Sequence, residues 1–135
     1  MFKLIVGLKG SGKTKTLIDQ ANSAVETSPG HVVVIEKSNK MMFDLSHRAR
    51  LVDTEGYGIE SAEELYGLVC GVLATNFDVK DLFIDSALKI CGNDLPSFVI
   101  FIGKLEKLCK KYEVQCITTS SIAHADLPRE LEKYL

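Results

Sequence analysis

The sequence predicts an α/β protein, a mostly parallel sheet of four to five strands with helices on both faces. Three observations predict it. Strand-like and helix-like segments alternate along the 135 residues, and such alternation builds a parallel sheet with helices packed against it. The strand-like segments include continuous apolar runs such as Val32-Val33-Val34-Ile35, the pattern of a strand buried on both faces. The helix-like segments each carry one apolar stripe.

Phe2 to Val6 reads as the first strand, ending at Gly7. A helix follows from Lys13 to about Thr27, with Leu17, Ile18, Ala21 and Val25 on one face, and Ser28-Pro29-Gly30 stops it. Val32 to Ile35 is the second strand. Residues 37–47 are polar and Met-containing and read as irregular, and Ala49 to Asp53 reads as a short strand. Ser61 and Glu64 have the spacing of a capping box, in which side chains satisfy the free N–H groups at a helix start. Leu65, Leu68, Val69, Val72 and Leu73 follow at helical spacing. Leu82 to Asp85 is a further buried strand. The next helix opens near Asp94, with Pro96 in its first turn where a missing N–H costs nothing. Its stripe is Phe98, Phe101, Ile102, Leu105, Leu108, Cys109 and Tyr112. Val114 to Thr118 is the last strand, and Leu127 to Tyr134 reads as a short terminal helix.

Length and composition, 46% hydrophobic and 25% charged, are those of one ordinary globular domain, residues 1–135. A net charge of −2 gives no basic footprint for nucleic acid. Lys104, Lys107, Lys110 and Lys111 share their helix with Glu106 and Glu113, which reads as a solvated face. Cys70, Cys91, Cys109 and Cys116 form no C-x-x-C pair, and the three histidines are scattered, so no zinc site is indicated. Thiols embedded in apolar runs suit a reducing cytoplasm. No signal peptide is recognised at the N-terminus and no apolar run approaches the ~20 residues of a membrane helix.

Gly7-Leu8-Lys9-Gly10-Ser11-Gly12-Lys13-Thr14 is a complete G-x-x-x-x-G-K-[ST] motif. Its glycines let successive backbone N–H groups turn inward toward phosphate oxygens, and the positive end of the following helix adds to the same site. Gly7, Lys9, Gly10, Ser11, Gly12, Lys13 and Thr14 are thus the candidate binding residues for ATP or another nucleoside triphosphate. Lys13 is expected to reach the β- and γ-phosphates, and the Thr14 hydroxyl to coordinate Mg²⁺. The expected strand before the motif and amphipathic helix after it supply the context the motif needs.

A second acid is expected to hold Mg²⁺ from the end of a neighbouring strand. Leu82-Phe83-Ile84-Asp85 offers Asp85, the favoured candidate, after an apolar run. Asp53-Thr54-Glu55-Gly56 offers the D-x-x-G of regulatory GTPases, but the guanine-reading N-K-x-D is missing, since Asn39-Lys40 runs into Met41-Met42.

Gly7 to Thr14 resembles the Walker A segment of P-loop nucleoside triphosphatases, and Leu82 to Asp85 resembles their Walker B strand. The resemblance implies a minimal P-loop fold with nucleotide at the carboxyl ends of the strands. In the additional-strand, RecA-like class, the strand after Walker B lies between the Walker A and Walker B strands and ends in a residue that senses the γ-phosphate. By that resemblance Thr119 or Ser120 takes the sensor role; a Ser/Thr turn closing the strand is the other reading. Ser86 stands where this class usually carries a Glu that polarises water, so hydrolysis is expected to be slow unless Glu36 or Asp53 substitutes. The chain from Gly7 through Tyr57-Gly58 to Asp85 also resembles small bacterial P-loop proteins of unassigned role, some labelled after the twitching-motility ATPases. The loop, the Val32–Ile35 strand and the short length resemble the core of type II thymidine kinases, without their zinc-binding cysteine pairs. These resemblances imply an ATPase or ATP-binding module coupled to a partner, a small-molecule kinase, or a non-catalytic nucleotide sensor. Arg48 and Arg50 read as surface residues rather than arginine fingers. The first strand is expected at an open sheet edge, where a second copy or a protein partner would pair.

Overall fold

A computed structural model describes residues 1–135. Five strands form one parallel sheet in the order β1-β5-β4-β2-β3: β1 (Phe2–Gly7), β2 (His31–Glu36), β3 (Arg50–Asp53), β4 (Val79–Ile84) and β5 (Gln115–Ser121). The helices are α1 (Lys13–Thr27), α2 (Ala62–Thr75), the single turn α3 (Ala87–Ile90) and α4 (Leu95–Lys111). Two short 3₁₀ turns, His124–Asp126 and Arg129–Tyr134, follow β5 where a terminal helix is expected.

Helices lie on both faces, and unequally. α1 covers one face, burying Leu17, Ala21 and Val25 against Val32, Val34, Phe83 and Ile117. The same face receives Met41, Leu45 and Ala49 from the link between β2 and β3. That link runs through turns, yet it fills the place a crossover helix would occupy. Helices α2, α3 and α4 cover the other face around Phe98, Phe101, Ile102 and Leu105.

The Ser61 hydroxyl accepts the Glu64 N–H at 3.1 Å, as a capping box requires. The return bond differs: Glu64 Oε1 accepts from the Glu60 N–H at 2.8 Å, one residue before the cap. β1 pairs with β5 alone and β3 with β2 alone, so both are edge strands. The last turn packs on a face of β1, with Phe2 and Tyr134 edge-to-face at 5.1 Å and Leu131 buried.

Two departures from the expected boundaries bear on the site. β4 begins at Val79 rather than Leu82, since Lys80 and Asp81 interrupt the apolar run without ending the ladder. β5 continues through Thr118, Thr119 and Ser120 to Ser121, so these hydroxyls belong to a buried strand end and not to a turn.

Candidate functional site

All five strands are parallel, so their carboxyl ends open on one rim. β5 lies between β1 and β4, which places Gly7, Asp85 and Thr119 at neighbouring strand ends. The glycine-rich loop leaves β1 and enters α1 through Gly12. Gly10 and Gly12 both stand at φ 86°, in the left-handed region, where a Cβ costs roughly 1–2 kcal/mol. α1 has no side-chain cap and no acid in its first turn. The N–H groups of Gly10, Gly12, Lys13 and Thr14 find no acceptor in the protein; the first N–H bonded back into the helix is that of Thr16, to the Gly12 carbonyl at 3.0 Å. A helix start so exposed is a positive end without a partner.

Lys13 is drawn back onto its own loop. Its Nζ donates to the Leu8 carbonyl at 2.9 Å and to Ser11 Oγ at 3.3 Å. Lys9 is exposed on the same loop. The Thr14 hydroxyl donates to the Asp85 carboxylate, 3.1 Å from Oδ2 and 3.3 Å from Oδ1. Asp85 is only 5% exposed, and its N–H donates to the Ile35 carbonyl at 2.9 Å. Its Oδ1 also accepts the Thr119 hydroxyl at 2.6 Å. Thr119 Oγ1 in turn accepts the Ser86 N–H at 2.9 Å. This second bond goes with the left-handed backbone of Ser86, φ 57°, an uncommon conformation for a residue with a Cβ.

Ser120 faces the opposite side of β5. Its Oγ accepts the Leu88 N–H at 3.2 Å, fastening the first turn of α3. The structure therefore joins Thr14, Asp85 and Thr119 in one hydrogen-bonded group and turns Ser120 away from it. Asp53, at the edge strand, accepts the Glu55 N–H at 3.0 Å and does not line the cavity at the loop. Arg48 is spent on the end of α1: it donates to the Val25 carbonyl and pairs with Glu26, a favourable place for a cation at a helix C-terminus. Arg50 lines a separate cavity between β3 and α2.

A cavity of about 750 Å³ opens along the rim between the glycine-rich loop, the residues after β2, and α3. Six lysines line it, Lys9, Lys13, Lys15, Lys37, Lys40 and Lys89, against three carboxylates, Glu36, Asp44 and Asp85. This concentration of positive charge in a chain of net charge −2 favours an anionic ligand. Glu36, at the end of β2 beside Asp85, is 6% exposed. Burial pushes its carboxyl above the ordinary range, opposed by hydrogen bonds from Met41 N–H and Ser38 Oγ, and raised further by the neighbouring Asp85 and Asp53. Its carboxylate accepts Ser38 Oγ at 3.1 Å and Met41 N–H at 3.4 Å.

The residues fit a metal and a phosphate chain in different ways. Thr14 Oγ1 and the Asp85 carboxylate are hard oxygens facing each other across the rim, as a small divalent cation such as Mg²⁺ prefers. The unpartnered N–H groups of residues 10 and 12–14 with Lys13 are donors only, as phosphate oxygens require. Sequence reasoning missed Lys37, Lys40, Lys89, Ser38 and Ser121 on the cavity wall. Glu36 had a readable signal, since it ends an apolar strand as Asp85 does. No protein-family model matches the chain, and neither does any curated protein.

Proposed function

We propose that this protein binds a nucleoside triphosphate together with Mg²⁺ at the glycine-rich loop, as a small P-loop protein of the additional-strand class, and hydrolyses it slowly. One observation carries the reading: four N–H groups without acceptors at the uncapped start of α1 line the same cavity as the Thr14–Asp85 pair. Free donors beside hard oxygen ligands suit a phosphate chain and its metal and little else.

The loop N–H groups bind the inner phosphates, and Lys13 exchanges its bonds to Leu8 and Ser11 for the outer ones. Thr14 and Asp85 hold Mg²⁺, which when bound neutralises charge between the two terminal phosphates. Thr119 fixes the Asp85 rotamer through its 2.6 Å bond. Glu36 is the acid on the cavity wall placed to take a proton from an attacking water, and its raised pKa makes it the better base. Ser86 follows Asp85 and offers no carboxylate, and the substitute Glu36 is already bonded to Ser38 and Met41, so turnover is slow relative to binding. Four free thiols accord with a cytoplasmic setting.

ATP binding measured with and without Mg²⁺, followed by phosphate release, on wild type and Lys13→Ala, tests the reading. The expected result is Mg²⁺-dependent binding lost in the variant. A wild type that binds neither ATP nor GTP would refute the assignment.

A further inference from the structure

A second cavity, of about 510 Å³, lies between β2, β3 and α2. It shares no lining residue with the cavity at the glycine-rich loop. β3 is an edge strand, and α2 is the helix beside it on this face. Val33 and Val52 form the floor of the gap, and Leu68 and Val72 form its wall. Val52, Leu68 and Val72 are only half-buried. An apolar concavity of this volume is in the range of small-molecule sites, which pair such a lining with a few placed polar groups.

The polar groups gather toward the amino ends of the strands. The parallel register sets Arg50 beside Val33, and His31 precedes Val33 by two residues on β2. From the spacing of strands and residues, the Cα atoms of Arg50 and His31 are about 8 Å apart. The His31 ring is held. Asn76 Oδ1 accepts the Asp78 N–H at 3.0 Å, which turns the Asn76 amide nitrogen to His31 Nδ1 at 2.9 Å. Nδ1 is therefore the acceptor, and the neutral ring keeps Nε2–H as a free donor. Arg48 spends its guanidinium on Glu26 and the Val25 carbonyl, whereas Arg50 is in neither ion pair of the protein. No Asp or Glu lines the cavity, although the chain as a whole is negative.

We propose that this cavity binds a small aromatic carboxylate, its anionic group held by Arg50 and His31 Nε2 and its apolar body laid on Val33, Val52, Leu68 and Val72. A guanidinium meets a carboxylate with two parallel N–H bonds. One free cation beside one neutral donor suits a single negative charge rather than a dianionic phosphate. Tyr57 stands past the carboxyl end of β3 and is 69% exposed, so its ring extends the apolar lining away from Arg50. The inference goes beyond the nucleotide-binding reading and does not rest on it.

2-Naphthoate is the probe, and 2-naphthylmethanol is its uncharged counterpart. Each is titrated into the full chain, without nucleotide, while methyl NMR follows the valine and leucine side chains. Wild type is expected to take up 2-naphthoate saturably, with a Kd below about 1 mM, and to shift the methyls of Val33, Val52, Leu68 and Val72. The alcohol should bind at least about tenfold more weakly. Arg50→Gln should weaken the acid about tenfold, as expected for losing a hydrogen bond between charged groups, and move the alcohol by less than about threefold. His31→Phe should weaken the acid in the same direction and by less. No saturable shift at these methyls would overturn the proposal. So would equal binding of acid and alcohol, which would mark a site for neutral ligands, or an acid affinity indifferent to Arg50→Gln. Methyl shifts that depend on protein concentration before any ligand is added would show a second copy on this face and would also overturn it. Binding of ATP with Mg²⁺ is measured separately on the same samples. Uptake of naphthoate by a protein that binds no nucleotide would refute the nucleotide reading alone.

Discussion

Thr119 Oγ1 stands 2.6 Å from Asp85 Oδ1 and accepts the Ser86 N–H at 2.9 Å. One hydroxyl on β5 therefore fixes both the carboxylate at the end of β4 and the turn after it. The two strands are adjacent, with Ile84 opposite Thr118, so the next residues along each meet side chain to side chain. Thr119→Val keeps the shape and removes both functions. A hydrogen bond to a charged group contributes roughly 1.5–3 kcal/mol, so the Mg²⁺-dependent part of ATP affinity should fall about tenfold or more. The melting temperature should also fall, because the Ser86 N–H loses its acceptor. Thr119→Ser should restore the Mg²⁺ effect. Calorimetry with and without Mg²⁺ separates the two effects: equal losses in both conditions would mean that Thr119 serves stability only.

Lys13 touches only its own loop, through the Leu8 carbonyl and Ser11 Oγ. Lys13→Ala should therefore abolish ATP binding while leaving the thermal midpoint nearly unchanged. Gly12→Ala should do the reverse in part. At φ 86° the new Cβ is strained, and about 1–2 kcal/mol of stability should be lost, with binding weakened through the displaced N–H groups. Thermal melts of both variants, with and without ATP, test the contrast.

The sequence carried the elements whose signals are local. α1 spans Lys13–Thr27 as its apolar face and the Ser-Pro-Gly stop predict. α3 had no such signal. It is four residues long and begins after a left-handed Ser86, so neither a stripe nor a cap marks it. The end of β5 was hard to read because Thr118, Thr119 and Ser120 are polar in sequence and buried in the sheet. Thr119 and Ser120 are tolerated there because a carboxylate and two N–H groups from β4 and α3 meet them. The glycine motif and Asp85 were legible because loop spacing and strand patterning are written in consecutive residues. Lys37, Lys40 and Lys89 were not, since they come to line one cavity only through the strand order.

Asp85 lies buried beside two hydroxyls, Thr14 and Thr119, and in no salt bridge. Both hydroxyls can donate equally well to an amide oxygen, so these bonds do not require the charge, whereas a metal does. Asp85→Asn should eliminate the gain in ATP affinity that Mg²⁺ gives. It should leave the metal-free protein as stable as wild type or more so. A variant that melts clearly lower without metal would show that the charge itself holds the strand ends together.

The thiols should separate by reactivity. Cys70 is half-buried, whereas Cys91 is buried and its thiol is pushed up to about 12 by desolvation and by Glu63 and Asp94. The thiolate is the reacting form. At neutral pH the buried Cys91 should therefore react with an alkylating reagent far more slowly than the half-buried Cys70. Mass mapping after a timed pulse checks the order, and early labelling of Cys91 would mean that the α3 region opens readily.

Glu36 supplies a pH dependence with a defined sign. Burial raises its pKa in the folded protein above the ordinary value of 4.5, more than its hydrogen bonds from Met41 and Ser38 lower it. A carboxyl with a raised folded pKa favours folding while protonated. That contribution is whole below the unfolded pKa and is lost as pH rises through the folded one. Wild type should therefore lose this part of its stability as pH climbs from the ordinary glutamate range toward neutrality. Glu36→Gln cannot ionise and keeps a carbonyl oxygen that can still accept from Ser38 or Met41. The difference in melting temperature, variant minus wild type, should thus become steadily more positive over that window, whatever its value in acid. A flat difference would show that Glu36 titrates alike in the folded and unfolded chain. A proton acceptor for hydrolysis would then have to be sought among other groups, and slow phosphate release by the same variant is the companion measurement that decides whether Glu36 takes part in turnover at all.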